Sequence, residues 1–291
     1  MNRENRARIM MILSMLIFGS IGLFVKSIPL PSGEIALYRA AMASVLLGLF
    51  LLISGQKISL RTLGKEGVLL IISGAAMAFN WILLFEAYNY TTVSVATLSY
   101  YFAPVIVTIV CPILFREKMT AKSWICFAFS TLGLVLITGT GDLSKGSSHL
   151  KGILLGLGAA CLYATVILLN KSIKKIGGIQ RTFLQFVAAA LVLIPYVLLT
   201  GGMSIMDVHA KGIIMLLIVG IVHTGITYCM YFTSIKELSG QKVAILSYID
   251  PLFAVLASVL ILTEPFTVYQ AIGGLLILGF TLVNEIPRKS K

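Results

Sequence analysis

The sequence predicts an all-α polytopic membrane protein: ten transmembrane helices in two inverted five-helix repeats, with N- and C-termini cytoplasmic. Three observations carry that reading. Hydrophobic residues make up 58% of the 291 and charged residues 12%, with a mean hydropathy of +0.98, which leaves too little polar surface to clothe a soluble domain of this size. Apolar runs recur at close to the roughly 20 residues that cross a hydrocarbon core of about 30 Å. Basic residues, finally, alternate between the segments that join those runs.

The first run, residues 9–25, stays apolar to its end, shows no clear A-x-A cleavage site and precedes nine others. It is read as a retained helix rather than a signal peptide. Residues 35–54, which enclose Arg39, then 68–85, 91–115 and 123–138 complete a first set of five. Residues 152–170, 182–200, 212–235 with His223, 243–263 with Asp250, and 266–284 form the second. The runs are continuous rather than alternating, which favours helices over barrel strands. Cys111, Cys126, Cys161 and Cys229 all fall inside runs without a CxxC pairing and read as small apolar side chains. No glycine-rich phosphate loop, HExxH, Gly-x-Ser nucleophile or facing aspartate pair occurs, and no polar stretch could house a catalytic domain. The expectation is therefore a non-enzyme without cofactor or metal.

The formal net charge is +12. With a cytoplasmic N-terminus, eighteen of the 23 basic residues fall in cytoplasmic segments, while external ones hold Lys26, Lys145, Lys151 and Lys211. This is the positive-inside pattern sustained over every loop, so the excess charge is topological and does not imply nucleic acid.

Internal similarity divides the chain at residues 8–138 and 150–285, joined by "TGTGDLSKGSSH". An offset of 147 places Pro104 on Pro251, Tyr101 on Tyr248, Glu117 on Glu264, Thr120 on Thr267 and Trp81 on Tyr228. One residue more aligns "VATLSY" with "VAILSY", and two fewer align "VKSI" with "NKSI". Five runs per half is an odd number, so the second half must enter the membrane from the opposite face. Inverted repeats of this kind suit alternating access, because exchanging the two halves' conformations turns an outward-open cavity inward.

The arginine in "ALYRAA", the stretch "LFEAYNYTTVSVATLSYYFAP" and the repeated Pro…Glu ending resemble the EamA family of the drug/metabolite transporter superfamily, over nearly the whole chain. The resemblance implies an uncoupled or ion-coupled carrier of small organic molecules in the cell membrane. It further implies a central cavity lined by the first four helices of each repeat, with the fifth and tenth peripheral and available for a homodimer. Family substrates range over amino acids, metabolites, quaternary amines and drugs. The expected function is thus a secondary active or facilitative transporter of a small polar or cationic metabolite, with protons or another ion as coupling partner. The alternative is a channel, although no repeated carbonyl filter or acidic ring is visible.

Asp250 is the sharpest site candidate. A carboxylate at that depth costs about 3 kcal/mol, and binding a cation or carrying a proton would justify it; a fixed bond to Arg39, His223 or a backbone donor is the structural alternative. Asn80 and Trp81 share a face near Tyr88, and Glu86 sits close to the outer end of the same helix. His223, Thr227 and Tyr231 follow an i, i+4, i+8 row beside Thr224 and Tyr228. With Tyr100, Tyr101 and Tyr248 these aromatics make a candidate ammonium site, since ring faces attract cations. Pro104 and Pro251 read as hinges, each freeing a carbonyl one turn back. Arg39, which the resemblance matches to the family's arginine, is grouped with the gating residues; it snorkels, pairs with Glu34 or Asp250, or meets a substrate carboxylate. Glu117 and Glu264 read as helix-end caps or gates.

Overall fold

The computed structural model describes residues 3–56, 64–115, 119–139 and 146–285; the expectations placed on Glu117 and on the C-terminal basic residues lie outside them. The regular structure described is helical: α1 (Arg3–Val25), α2 (Ser32–Ile53), α3 (Gly64–Tyr90), α4 (Val93–Tyr100), α5 (Ala103–Phe115), α6 (Ala121–Gly139), α7 (Gly146–Ser172), α8 (Gly178–Thr200), α9 (Ala210–Leu217), α10 (Thr227–Ser234), α11 (Gly240–Ser247), α12 (Ile249–Leu260) and α13 (Val268–Glu285). A π-helical stretch, Ile218–Ile226, joins α9 to α10. Among the described residues, eight helices are long and apolar enough to cross a membrane, with α4–α5 counted as Val93–Phe115 and α9–α10 as Ala210–Ser234. The other two expected spans correspond to the shorter apolar helices Ile245–Leu260 and Val268–Asn284.

The polarity of the bundle suits lipid. Ile53 and Leu199 point outward, 87% and 86% exposed. Polar side chains turn inward, where Gln185 Nε2 donates to Ser73 Oγ at 2.5 Å and to Asn170 Oδ1 at 2.8 Å, tying α8 to α3 and α7.

Proline sets the breaks in the fourth and ninth spans. Pro104 and Pro251 do not kink continuous helices; each stands in the first turn of a new one, α5 and α12, where a missing N–H costs nothing. The ring denies the carbonyl four residues back its donor, so α4 ends at Tyr100 and α11 at Ser247.

The helices pack in reciprocal pairs. α3 lies along α7, as α1 lies along α10 and the π stretch; α2 meets the π stretch, as α8 meets α3; α4 meets α7, as α12 meets α1. Two contacts, α2 with α8 and α6 with α13, are their own counterparts. α6 and α13 touch backbone to backbone: a Cβ on Gly133 would stand 2.6 Å from the Gly273 carbonyl oxygen, and one on Gly273 2.5 Å from that of Gly133. Glycine at both positions lets this edge pair close.

A cavity bordered by Arg39 and Asp250

The broken spans surround a cavity of about 490 Å³, within the range of small-molecule sites. It takes residues from α1, α2, α3, α4, α5, α7, α10, α11 and α12. Of the side chains proposed from sequence, Asn80, Trp81, Tyr100, Tyr101, Tyr228, Tyr231, Tyr248, Asp250, Pro104 and Arg39 border it.

Asp250 stands in the first turn of α12, so the positive end of a helix dipole lies at its carboxylate and moderates the cost of its depth. Its partner is none of those anticipated. The Tyr101 hydroxyl donates to Oδ2 at 2.5 Å, and Tyr101 in turn packs edge-on against Tyr100, which meets Tyr163. A second aromatic chain runs from Trp81 through Phe186 and Tyr228 to Phe18 and Tyr231, with centroid separations of 5.3, 5.2, 5.1 and 6.4 Å.

Arg39 is 5% exposed and pairs neither with Glu34 nor with Asp250, contrary to expectation. Its Nε donates to Thr224 Oγ1 at 2.7 Å, while its guanidinium carbon lies 4.4 Å from the Trp81 ring centroid and 5.6 Å from that of Phe85. Glu34 is already engaged, both oxygens accepting from the Ser204 backbone N–H at 3.1 and 2.9 Å. Cation–π contact with desolvated rings replaces the carboxylate.

Four expected site residues lie away from the cavity. Glu86 accepts from Ser32 Oγ at 2.7 Å and Asn89 Nδ2 at 3.2 Å near the end of α3. Thr227 is buried and donates back to the Val222 carbonyl at 2.7 Å. His223 packs on the Phe24 ring at 4.7 Å, with Nε2 2.9 Å from Ser20 Oγ. Pro251 is buried in the first turn of α12. The row through His223, Thr227 and Tyr231 presumed a regular α-helix; the π stretch adds about one residue to the turn and swings His223 out of phase with Tyr231, whereas Thr227 lies in α10 with Tyr231 and is buried against the Val222 carbonyl. Asn80 borders the cavity but spends its amide on the Ala159 carbonyl, 2.6 Å away.

Phe18, Tyr163 and Thr224 were not among the sequence candidates. Phe18 and Tyr163 both border the cavity and correspond at the offset that aligns "VKSI" with "NKSI", so the internal alignment held the signal. Thr224 was visible only as one polar residue in a stripe.

At the end of the bundle that carries Lys26, side-chain bonds tie the helices together. Glu264 Oε2 accepts from the Val93 backbone N–H at 2.7 Å and from Ser258 Oγ at 2.5 Å, and Oε1 pairs with Lys26. None of these residues borders the cavity. Toward the end that carries Lys242 it reaches Met15, Tyr231, Val243 and Ser247.

A bundle with an apolar exterior and a charged, aromatic cavity among its spans is a polytopic membrane protein built to house a small solute. Comparison with known proteins narrows that class. The description of the EamA-like transporter family fits residues 5–139 and, separately, 150–284, and the chain belongs to that family of membrane transporters. It is 31% identical to the uncharacterized transporter YxxF of Bacillus subtilis (strain 168), over 99% of this chain and 92% of that one. It is 26% identical to an uncharacterized transporter of Archaeoglobus fulgidus, over 94% and 93% of the two chains. A protein of known crystal structure, 17% identical, shares the fold with a TM-score of 0.64 over 95% of this chain and 96% of its own.

Proposed function

We propose that the chain is a secondary active or facilitative carrier of a small polar or cationic organic solute, working by alternating access in the cytoplasmic membrane. The observation that carries this reading is a solute-sized cavity lined by a pair of broken spans and bordered by Arg39 and Asp250. Residues 8–138 and 150–285 serve as two inverted repeats. The reciprocal contacts favour this, because they survive exchange of each span for the one five later. Lys26 then marks the external face, and Arg3 and Lys242 the cytoplasmic face toward which the cavity extends. The site comprises Asp250, Tyr101, Trp81, Tyr100, Tyr228, Tyr231 and Tyr248, with Pro104 and Pro251 as hinges; protons or another ion are the coupling partner. A homodimer would use the outward face of α6 and α13.

Counterflow in proteoliposomes tests the reading. Saturable exchange of labelled for unlabelled solute is expected, and unitary currents would overturn it in favour of a channel. Asp250→Asn keeps size and hydrogen bonding but removes the charge. If Asp250 carries a proton, the variant loses accumulation driven by a pH gradient and retains exchange; if it binds a cation, affinity itself falls. Normal gradient-driven transport by the variant would remove Asp250 from the mechanism.

A further inference from the structure

Resting on the carrier reading, we propose that the cavity selects a zwitterion, its anionic group held by the Arg39 guanidinium and its ammonium group by Asp250. The starting point is that the two charged side chains on the cavity wall do not neutralise each other. Among the described residues no ion pair joins them, and no other carboxylate faces Arg39. A buried guanidinium without a counter-ion is expensive. Here one donor, Nε, is committed to Thr224, and the planar group lies against Trp81. No partner is recorded for its terminal nitrogens among the described residues. They present the two-pronged donor edge that fits a carboxylate or a similar anion.

Asp250 supplies the complement. One oxygen takes the Tyr101 hydroxyl and the other has no recorded partner. Tyr88, Tyr100 and Tyr228 line the same cavity as Arg39 and Asp250, so the two charges share it with an aromatic surface. A cation alone would meet Asp250 but leave Arg39 uncompensated and repulsive. An anion alone would face the reverse. A solute carrying both charges satisfies both walls while its apolar body rests on Trp81, Tyr100 and Tyr228.

The test uses the full-length protein and matched probes: α- and ω-amino acids of increasing length, each with its methyl ester, which keeps the cation, and its N-acetyl derivative, which keeps the anion. Affinity is read by thermal shift and by competition in counterflow. At least one zwitterion should bind about tenfold or more tighter than either derivative, the usual cost of losing a charge-assisted hydrogen bond. Arg39→Gln should bring that zwitterion down to the affinity of its ester, and Asp250→Asn down to that of its N-acetyl derivative. Arg39→Lys, which keeps the charge without the fork, should fall between and guards against misfolding of the glutamine variant. Esters binding as well as zwitterions, or both variants weakening every probe equally, would overturn the assignment, as would no binding by any amino acid. Saturable exchange of solutes without regard to a carboxylate would sink the zwitterion and leave the carrier standing. Absence of saturable exchange for any solute would sink the carrier itself.

Discussion

At the scale of single residues, Thr224 decides how Arg39 is presented. Its hydroxyl accepts from Arg39 Nε and donates to the Val219 carbonyl five residues back, at 2.9 Å. Both bonds are buried, so neither can be replaced by water without rearrangement. Thr224→Val keeps the shape and removes the acceptor, leaving a buried guanidinium donor unpaired at about 1.5–3 kcal/mol. Part of that cost should appear as a roughly tenfold loss of solute affinity, since the guanidinium would rotate to find another acceptor. Thr224→Ser should restore most of it. Thr224 is a positioning residue, and this rescue separates it from a packing role: serine lacks the methyl group but keeps the hydroxyl. Equal affinity in Thr224→Val would mean that stacking on Trp81 alone orients Arg39.

At the scale of elements, the decisive contact is α1 against α12. A Cβ on Gly19 would lie 2.4 Å from the Asp250 carbonyl oxygen and 3.2 Å from the Ala254 nitrogen, both backbone atoms. Backbone cannot turn aside as a side-chain tip can, so Gly19→Ala must force the helices apart just where Asp250 enters the cavity. An overpacking cost of about 1–3 kcal/mol is expected, seen as a lower melting temperature together with impaired solute binding. Gly279→Ala, where a Cβ meets nothing within 4 Å, should do neither, and matching behaviour of the two variants would remove the steric argument. Elements also separate what the sequence revealed from what it hid. Lipid demands long apolar runs, so the spans could be read directly; Pro104 and Pro251 read from sequence as hinges inside continuous spans, whereas each begins a new helix. The π stretch could not be read directly, because it differs from an α-helix by one residue per turn and leaves no compositional trace. That is why His223 was expected beside Tyr231 and is found elsewhere. Of the alternatives left open for Arg39, pairing with Glu34 is not found because Glu34 is taken by the Ser204 backbone, which one-dimensional spacing does not show.

At the scale of the whole molecule, the bonds that tie the helices together at the Lys26 end concentrate on Glu264. Its carboxylate gathers Lys26 at the end of α1, the first amide of α4, and Ser258 near the end of α12, and Ser258 Oγ also accepts the Ser94 N–H at 3.3 Å. On the proposed carrier reading, opening the cavity on this side would part these three helices. The opposite end holds the exposed pairs of Glu4 with Arg8 and Lys242, which contribute little. Glu264→Gln keeps the size and one acceptor but removes the ion pair and the negative charge at the N-terminus of α4. The Lys26 side chain is 36% exposed, which discounts its share, while the helix terminus adds about 0.3–2 kcal/mol. On the proposed alternating-access reading, a total on the order of 1–2 kcal/mol should move the equilibrium toward a state open on the Lys26 side by roughly tenfold. The shift can be read in a chain whose native cysteines are replaced. With Thr97→Cys as reporter beneath the seal, an impermeant maleimide applied from the Lys26 side should react about tenfold faster in Glu264→Gln. With Ser247→Cys, reaction from the Lys242 side should slow in parallel. The opposite signs matter, because a loosened protein would speed both reactions, whereas a two-state exchange must close one side as it opens the other. Unchanged labelling at position 97 would show that the seal lies in apolar packing, and faster labelling at both positions would mean that Glu264 stabilises the fold without gating it.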